Sequence, residues 1–416
     1  MKVEVVTIGT ELILGATLDS NAAELGRALA AAGVEIVRRS TVPDRPDAIR
    51  AAVAEALQRT GFVVTTGGLG PTRDDETKTV VAEMLGRPLV LDESLLAALE
   101  ARFQRMGRSP MPAANRSQAY VPEGATILPN PRGTAPGLWV EDAGGRTAVL
   151  LPGVPREMRG LLVEEVLPRL VRRAGTTPRV VRSRTVRTTG VPESALAERV
   201  GAIEETIAPL TLAYLPSLLG VDLRLTAWGL PADEAERRLT EAAHRLVPLA
   251  GEHYYGDEDT DLAAHVLARL RRGGRRLGIA ESCTGGLVAE RITAIPGASD
   301  TFIGAVVAYA DAIKHGLLGV PQETLSAHGA VSEETVRAMA EGAQRVFAVD
   351  CSVAVTGIAG PGGGTPDKPV GTVWLAARVG AGTRTARRVF PGDRDEIRAR
   401  AAQAVLDLLR RQLPPS

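Results

Sequence analysis

Three glycine-rich blocks in the last third of the chain carry a serine, a tyrosine and a lysine that together could cleave an amide bond. The blocks are AESCTGG at 280–286, GAVVAYADAIKHG at 304–316 and TGIAGPGGG at 356–364. Ser282 falls between a predicted strand and a predicted helix, where backbone N–H groups could hold the oxyanion formed when the serine attacks a carbonyl. Lys314 could act as the base once desolvation removes its charge, and Tyr309 could relay or orient the proton.

Lysine is rare in this chain, which draws attention to Lys314. The 49 basic residues include only four lysines, namely Lys2, Lys78, Lys314 and Lys368. Arginine stays charged in proteins, whereas a desolvated lysine can lose its proton and serve as a base. The remaining lysines could therefore mark positions that arginine cannot fill. The alternative is a GC-rich coding bias that left four lysines without special roles.

Each block also has an ordinary structural interpretation. Ser282 or Thr284 could simply cap the following helix, and Lys314 could be a surface lysine. Cys283 is a second candidate nucleophile, because a thiolate is intrinsically the better nucleophile. The third block could be a flexible hairpin, or it could wrap a phosphate or ribose with its backbone N–H groups. As a ligand site this loop would contribute Gly357, Gly360, Gly362 and Gly363.

A second candidate site is the block GGLGPTRDDET at 67–77, where a glycine turn precedes neighbouring carboxylates and a predicted helix. The loop N–H groups could hold a pyrophosphate. The expected contacts are Gly67, Gly68, Gly70 and Thr72. Asp74 and Asp75, joined by Glu11 from the end of the first strand, would bind a hard, magnesium-like divalent cation. Helix capping by Asp74 or Asp75 is the alternative.

The elements that must position these blocks alternate between strand and helix at both ends of the chain. The first part predicts strands at Val3–Gly9, Val34–Arg38 and Phe62–Thr66 and helices at Asn21–Ala32 and Asp47–Gln58. The last part predicts strands at Leu277–Ala280, Ala305–Tyr309, Cys351–Thr356 and Gly371–Arg378 and helices from Thr284, at Glu333–Phe347 and at about 394–412. Such alternation favours largely parallel sheets with helices on both faces, and ligands then gather at the carboxyl ends of the strands.

A segment of different pattern lies between these parts, after a predicted linker at 174–178 and before a boundary near 251–260. It predicts strands at Arg179–Thr188, Thr211–Leu215 and Val221–Trp228 and helices at Glu193–Ile203 and Ala232–Leu246. The predicted fold class is therefore α/β, with two α/β domains flanking a small α+β domain. The predicted domain boundaries are 1–174, 175–255 and 256–416.

Composition narrows the function classes. Acidic and basic residues balance at 49 each, so no overall field draws the chain to nucleic acid or to an anionic membrane. Aromatic residues make up only 3%, which leaves few platforms for stacking single-stranded bases. Two cysteines are too few for a disulfide framework. The beginning MKVEVVTIGTELILG has no signal-peptide pattern, and no apolar run is long enough to cross a bilayer, so we expect a cytoplasmic protein without a membrane partner.

The segment from about 260 to 412 resembles the CinA C-terminal domain, the PncC-type nicotinamide mononucleotide (NMN) amidohydrolase family. The resemblance rests on AESCTGG, the spacing of Tyr309 and Lys314, HGAVSEE at 328–334, TGIAGPGGG, KPVGTVW at 368–374 and FPGDRDEIR at 390–398. It implies conversion of NMN to nicotinate mononucleotide and ammonia without a cofactor. It also implies Ser282 as nucleophile with Lys314 and Tyr309 assisting. The substrate site would include Thr284, Gly285, Gly286 and the loop at 357–364.

The first segment is similar to the molybdopterin-binding fold that the CinA N-terminal domain shares with molybdenum-cofactor biosynthesis proteins. The matching blocks are IGTELILG at 8–15, DSN at 19–21, TTGGLGPTRDDET at 65–77, NPRGTAPG at 130–137 and LPGVPREM at 151–158. This similarity implies metal-dependent ADP-ribose pyrophosphatase activity, with Asp74, Asp75 and Glu11 carried over as metal ligands. The middle segment takes the place of a KH-like domain, but it has no GxxG loop between 178 and 250, so RNA binding is not expected.

Three functional hypotheses follow. The first is a homodimeric, bifunctional enzyme of pyridine-nucleotide salvage that acts on NMN and ADP-ribose. The second is a regulatory protein of competence or DNA repair, against which the neutral charge, the few aromatic residues and the missing GxxG loop argue. The third is a molybdopterin-type ligand-binding protein, which leaves AESCTGG unexplained.

Overall fold

The computed structural model describes residues 1–174, 179–257 and 260–414. The predicted linker at 175–178 lies outside the described residues. The chain divides into two compact units, Met1–Arg182 with Ala227–Arg237 and Ser183–Thr226 with Arg238–Ser416. No helix in the described part combines the length and the apolar character that a membrane span requires.

The first unit is built around a six-stranded mixed sheet. The strands of this sheet are β1 (Lys2–Ile8), β2 (Glu35–Val42), β3 (Phe62–Thr66), β6 (Thr126–Leu128), β7 (Gly137–Glu141) and β8 (Thr147–Leu151). Two further strands, β4 (Leu89–Leu91) and β5 (Tyr120–Pro122), form a separate two-stranded ribbon. The order in the main sheet is β2-β1-β3-β8-β7-β6. The first four of these strands are parallel, and β7 and β6 continue the sheet antiparallel. Every residue of β3 and β8 is buried, as expected for central strands covered on both faces.

Helices of the first unit pack on both faces of this sheet and bury two apolar cores. The helices are α1 (Thr10–Ile13), α2 (Ser20–Ala31), α3 (Pro46–Thr60), α4 (Thr77–Met84), α5 (Glu93–Arg105), α6 (Pro155–Leu161) and α7 (Leu167–Ala174), with a π-helical turn at Leu162–Val166 and a 3₁₀ helix at Ala113–Ala119. Asp19 caps α2 by accepting a hydrogen bond from the Ala22 N–H at 2.9 Å. The cap explains why the helix starts immediately after this aspartate.

The segment between the two α/β regions forms a four-stranded sheet with helices, as its pattern predicts. Its elements are β9 (Arg179–Thr188), α8 (Glu193–Val200), a 3₁₀ helix at Gly201–Thr206, β10 (Thr211–Pro216), β11 (Val221–Pro231), α9 (Ala232–Ala250), a 3₁₀ helix at Gly251–His253 and β12 (Tyr254–Asp257). The strand order is β10-β11-β9-β12. Tyr254–Asp257 therefore belongs to this sheet, although the sequence analysis placed a domain boundary near 251–260 and predicted no strand in that segment. A strand of four residues is too short to show periodicity.

The C-terminal region is a five-stranded sheet between helices. Its elements are α10 (Leu262–Arg272), β13 (Leu277–Glu281), α11 (Leu287–Thr293), a 3₁₀ helix at Ala298–Asp300, β14 (Phe302–Val307), α12 (Asp311–Gly316), α13 (Gln322–His328), α14 (Glu333–Phe347), β15 (Cys351–Gly357), β16 (Thr372–Val379), β17 (Gly382–Val389) and α15 (Arg394–Arg410). The strand order is β14-β13-β15-β16-β17, with β13 parallel to its two neighbours and the last two pairings antiparallel. The predicted α/β fold class is confirmed, with mixed sheets.

Alternation along the central strands sends neighbouring side chains into two separate cores. Ile279 and Val353 join the core that α10, α11 and α15 cover, while Ala280 and Ala354 join the core that α14 covers. This period of two is the pleat of the strand, and it requires apolar residues at every position of a strand buried on both faces. The glycine-rich blocks consequently lie at the carboxyl ends of β13 and β15, where the buried strands reach solvent.

Candidate functional site

A cavity of about 300 Å³ in the C-terminal region brings the predicted catalytic residues together. Ser282, Tyr309 and Lys314 all line it. The remaining lining residues come from the three glycine-rich blocks, from the segment between α13 and α14 and from α15. They are Cys283, Asp311, Ala330, Val331, Thr356, Gly357, Ile358, Ala359, Gly360, Gly362, Gly363 and Arg394. The sequence blocks thus converge on one space, as expected for loops at the carboxyl edge of a parallel sheet.

Ser282 is positioned by the strand that precedes it. Its backbone N–H donates to the Val355 carbonyl oxygen at 2.9 Å, which extends the pairing of β13 with β15 by one residue. The side chain is only 8% exposed. A serine held at a strand end and shielded from bulk water is well placed for attack on a carbonyl that enters the cavity.

The N-terminus of α11 is not available for an oxyanion, which corrects one expectation. The carboxylate of Glu281, fully buried, accepts hydrogen bonds from the N–H groups of Gly286 at 3.0 Å, Val288 at 3.1 Å and Ala289 at 2.9 Å. These are the free donors that a helix N-terminus offers, and a buried carboxylate is the partner that its dipole favours. Oxyanion donors must therefore come from another part of the cavity lining.

Gly286 shows why this turn needs glycine. Its φ of 99° lies in the left-handed region, and it precedes the first residue of α11. Neither Gly285 nor Gly286 lines the cavity, and Thr284 does not line it either. The Thr284 hydroxyl is buried and has no hydrogen-bond partner among the described residues. The structure thus places these three predicted substrate contacts outside the cavity lining, in the turn between β13 and α11.

Lys314 is a buried residue of α12, and it is not a surface lysine. Its side chain is 1% exposed, and its Nζ donates to the backbone carbonyl oxygen of Tyr309 at 3.1 Å. Asp311, one turn earlier, lies with its Oδ1 3.3 Å from the same nitrogen. These two partners fix the position of the amine, which could accept a proton from the cavity only in its neutral form. The surface interpretation of Lys314 is wrong.

Tyr309 contributes in two different ways. It lies two residues beyond β14, which ends at Val307 and begins earlier than predicted, at Phe302. Its side chain is 62% exposed, and its hydroxyl accepts a hydrogen bond from the Arg394 guanidinium at 3.1 Å. Its carbonyl oxygen, in contrast, holds Lys314. The backbone of Tyr309 therefore orients the lysine, and its side chain faces the cavity mouth.

Arg394 is a site residue that the sequence reasoning missed. It is the first residue of α15, and its guanidinium donates to the Gly360 carbonyl oxygen at 2.6 Å as well as to Tyr309. It lies 85 positions after Tyr309, so no local spacing pairs the two. The available signal was the block FPGDRDEIR, in which Asp393 forms a capping box with Glu396 and fixes the start of the helix.

Cys283 lines the cavity but is a poor alternative nucleophile. Its side chain is almost fully buried, and burial raises the pKa of the thiol to about 12. The thiolate, which is the reactive form, is therefore scarce at neutral pH. Ser282 remains the nucleophile that the geometry favours.

The first unit contains a larger cavity, of about 870 Å³, beside the second candidate block. Gly68, Gly70, Thr72 and Asp75 line it, as predicted for the phosphate-binding loop. The cavity also receives three basic residues that the sequence reasoning did not assign, Arg73, Lys78 and Arg116. Gly67 lies behind the lining with a φ of 111°, and a Cβ there would approach the Ile8 carbonyl oxygen to 2.1 Å. Only glycine fits that turn.

Asp75 organises this loop from within. Its carboxylate accepts hydrogen bonds from the Gly70 N–H at 2.7 Å, the Thr72 N–H at 2.9 Å and the Thr72 hydroxyl at 2.5 Å. Asp74 is exposed and outside the cavity lining. The helix-capping alternative is not observed, because Glu76 precedes α4 and no side chain caps it.

The predicted convergence of Glu11 on these carboxylates is not observed. Glu11 lies on α1 with its carboxylate folded against Gly9, where a Cβ would come within 2.6 Å of it. Across residues 1–174, 179–257 and 260–414, no three His, Cys, Asp or Glu side chains are grouped so that they could hold a metal ion. The residues do fit a magnesium ion that arrives with a phosphate, because such ions often take only one or two protein carboxylates.

Lys78 is held in the wall of this cavity. Its Nζ donates to the backbone carbonyl oxygen of Ser117 at 2.6 Å. Burial lowers the pKa of its ammonium group to about 8, an effect that the nearby Asp75 carboxylate partly opposes. The cavity thus brings the cations of Arg73, Lys78 and Arg116 to one lining, and clustered cations suit a phosphate.

Known families match the chain in three consecutive segments. The family described as a probable molybdopterin binding domain matches residues 4–172. The damage-inducible protein CinA KH domain family matches residues 183–256, and the CinA C-terminal domain family matches residues 259–413. Among solved structures, the competence/damage inducible protein CihA from Agrobacterium tumefaciens is 41% identical over 36% of this chain and 91% of its own, with a TM-score of 0.35.

Relatives also match over nearly the whole length. A CinA-like protein from Gemmatimonas aurantiaca is 54% identical over 99% of this chain and 96% of its own. A putative competence-damage inducible protein from Symbiobacterium thermophilum is 46% identical over 99% of each chain. With the order of segments and the two loop-built cavities already described, these matches show that the chain belongs to the CinA family.

Proposed function

We propose that the C-terminal cavity hydrolyses the carboxamide of NMN to give nicotinate mononucleotide and ammonia. The observation that carries this proposal is the meeting of Ser282, Tyr309 and Lys314 in one cavity with a glycine loop. A hydroxyl nucleophile, a buried amine and loop N–H groups are sufficient for amide cleavage through an acyl-enzyme. The choice of NMN as substrate comes from the resemblance of the sequence blocks.

The reaction would proceed in two balanced steps. Ser282 Oγ attacks the carboxamide carbon while Lys314 takes its proton and then passes a proton to the departing ammonia. This leaves an ester between the serine and the nicotinoyl group. Water then attacks the ester while the lysine accepts its proton, and the lysine returns that proton to Ser282 Oγ as the ester bond breaks. The acid released loses its proton to solvent and leaves as the carboxylate. General acid–base help of this kind contributes roughly 10²–10⁴ in rate.

The rest of the lining would bind the nucleotide. With the amides of α11 committed to Glu281, the loop at 357–363 is one source of backbone donors for the oxyanion or the 5′-phosphate. Arg394 supplies a guanidinium beside that loop through its bond to Gly360. Guanidinium and loop N–H groups together are a common way to hold a phosphate.

The decisive experiment measures ammonia release from NMN by the full chain. We expect Ser282→Ala to lower kcat by at least about 10³, and Cys283→Ala to stay within about threefold of wild type, since the thiol is protonated. EDTA should not affect the reaction. Wild-type protein that releases no ammonia, or Ser282→Ala protein that releases it at the wild-type rate, would refute the proposed mechanism.

We also propose that the first unit hydrolyses the pyrophosphate of ADP-ribose. The carrying observation is the 870 Å³ cavity, in which the loop containing Gly68, Gly70 and Thr72 faces Lys78. Asp75, which lines the cavity, would hold a divalent cation together with the substrate phosphates, and Asp74, exposed next to it on the loop, would be the second carboxylate. When bound, that cation would neutralise charge on the phosphates. Because Asp75 already holds the N–H groups of Gly70 and Thr72, the cations of the lining would orient the pyrophosphate, with Lys78 pairing with one of its oxygens.

This second activity is tested by phosphate-ester release from ADP-ribose. We expect turnover to stop in EDTA and to return with added magnesium or a similar cation. Asp74→Asn should lower kcat/KM by at least about tenfold, whereas Glu83→Gln, an exposed control on α4, should leave it unchanged. Turnover that persists in EDTA would contradict the metal requirement.

A further inference from the structure

A separate cavity of about 820 Å³ lies within the second unit, where the C-terminal region faces the small four-stranded sheet. Strand β17 and helix α15 form one wall, and the turns at 189–193 and 216–221 form the other. Its volume falls in the range of sites that hold small molecules. None of the catalytic residues discussed above lines it, so the proposed reactions leave it without a role.

One wall of this cavity carries an unsatisfied cation. The Nε of Arg400 is buried and has no hydrogen-bond partner among the described residues. Leaving a buried charged donor unpaired is costly, which favours a ligand or solvent partner at this position. Arg388, on β17, also lines the cavity, and in the described part of the chain its guanidinium donates only to the carbonyl oxygen of Arg387, at 3.0 Å.

The other charged groups of the lining are mostly committed to each other. Arg411 pairs with Glu252 at 2.6 Å and with Asp407 at 2.8 Å, and Asp407 also accepts hydrogen bonds from Arg410. Glu193 remains as a carboxylate at the rim, in the first turn of α8, where the helix dipole favours it. The two guanidinium groups of Arg388 and Arg400 are therefore the cations left for a ligand.

Apolar side chains complete the lining. Val191, Leu218, Leu219, Phe390 and Leu408 all contribute to it. A concave site with an apolar floor and a few convergent polar groups is typical of small-molecule recognition.

We propose that this cavity binds an organic phosphate of nucleotide size. The phosphate bonds to Arg388 and Arg400, whose planar guanidinium groups match phosphate oxygens in pairs. The ring of the ligand lies against Phe390 and Leu218. The site is distinct from both proposed active sites and does not depend on either activity.

The test localises binding by hydrogen–deuterium exchange on the full chain, with AMP as the probe. We expect AMP to slow exchange in residues 216–221 and 400–411, with inorganic phosphate acting more weakly and adenosine not at all. For Arg400→Met, the AMP concentration that gives half of the maximal protection should rise by at least about tenfold. Arg384→Gln, on the same strand but outside the lining, is the matched control and should behave like wild type.

Arg388→Gln gives a second variant, since its exposed side chain can be removed without disturbing the core. It should weaken the same protection while its thermal unfolding stays unchanged. The proposal is overturned if AMP protects neither segment, if adenosine protects as well as AMP, or if both arginine variants bind like wild type. Ser282→Ala and Asp74→Asn must leave this protection intact, which separates it from the proposed activities.

Discussion

At the scale of single residues, the scarce lysines share a structural role. Lys78, Lys314 and Lys368 each donate from Nζ to a backbone carbonyl oxygen, at 2.6, 3.1 and 3.0 Å. The bonds of Lys78 and Lys368 tie down segments 39 and 40 positions away, whereas that of Lys314 holds the loop just before its own helix. Lys314 and Lys78 also line the two cavities described above. The scarcity of lysine therefore indicated positions where the side chain anchors the backbone. Those lysines that also line a cavity are the candidates for a role in catalysis or binding.

Lys314 is tested by exchanging it for arginine. Lys314→Arg keeps a charge but cannot release a proton, so we expect kcat for NMN hydrolysis to fall by about 10³. Because the site is buried, thermal unfolding must show that the variant folds. Lys314→Met, which is similar in length and neutral, should be equally inactive. Lys368→Arg is the control outside the cavity lining and should retain activity within about threefold.

The amine of Lys78 should titrate at unusually low pH. Its pKa of about 8 means that the neutral, acylation-reactive form grows as the pH rises through 8. Acylation followed by peptide mass analysis should show a midpoint near that pH, while free lysine amines have a pKa of about 10.4. A midpoint above pH 10 for Lys78 would contradict the burial effect.

At the scale of elements, the turn between β13 and α11 is held by a carboxylate. Glu281→Gln removes the charge that three helix N–H groups share, and we expect it to lower the free energy of unfolding by about 2 kcal/mol. Urea unfolding measures this loss. Glu290→Gln, an exposed change on the same helix, should remain within about 0.5 kcal/mol of wild type.

The bounds of strands and helices were predicted most accurately where burial or a helix cap gave the sequence a strong pattern of residue types. The sequence boundaries for Phe62–Thr66, Arg179–Thr188 and Glu333–Phe347 agree with the structure. Strand β17 was missed because GTRTARRV, an edge strand, carries three arginines and little apolar signal. The end of β14 was misplaced because Tyr309 favours strands by type but lies in the loop that follows.

At the scale of the whole molecule, the second unit is joined by a buried ion pair. Arg410 and Asp407 are 5% and 11% exposed in their side chains, and Arg410 also donates to the carbonyl oxygens of Tyr254 and Glu252. Asp407→Asn leaves the arginine without its counterion and should cost about 3 kcal/mol of unfolding free energy. Asp395 pairs with Arg398, and its side chain is 89% exposed, so Asp395→Asn should lower the free energy of unfolding only slightly. Thermal unfolding of both variants distinguishes them.

The predicted domain boundaries and the predicted homodimer stay predictions. Sedimentation equilibrium of the full chain would decide the oligomeric state.

The sequence alone determined the α/β fold class, the family and most residues of the C-terminal cavity. It could do so because apolar periodicity, glycine turns and residue types act over a few neighbouring positions. The tertiary structure alone decided that Glu281 occupies the helix N-terminus, that Arg394 reaches Tyr309 and that Glu11 lies apart from Asp75. It also decided that the side chain of Lys314 is buried. These are contacts and burial states set by packing, and no spacing along the chain encodes them.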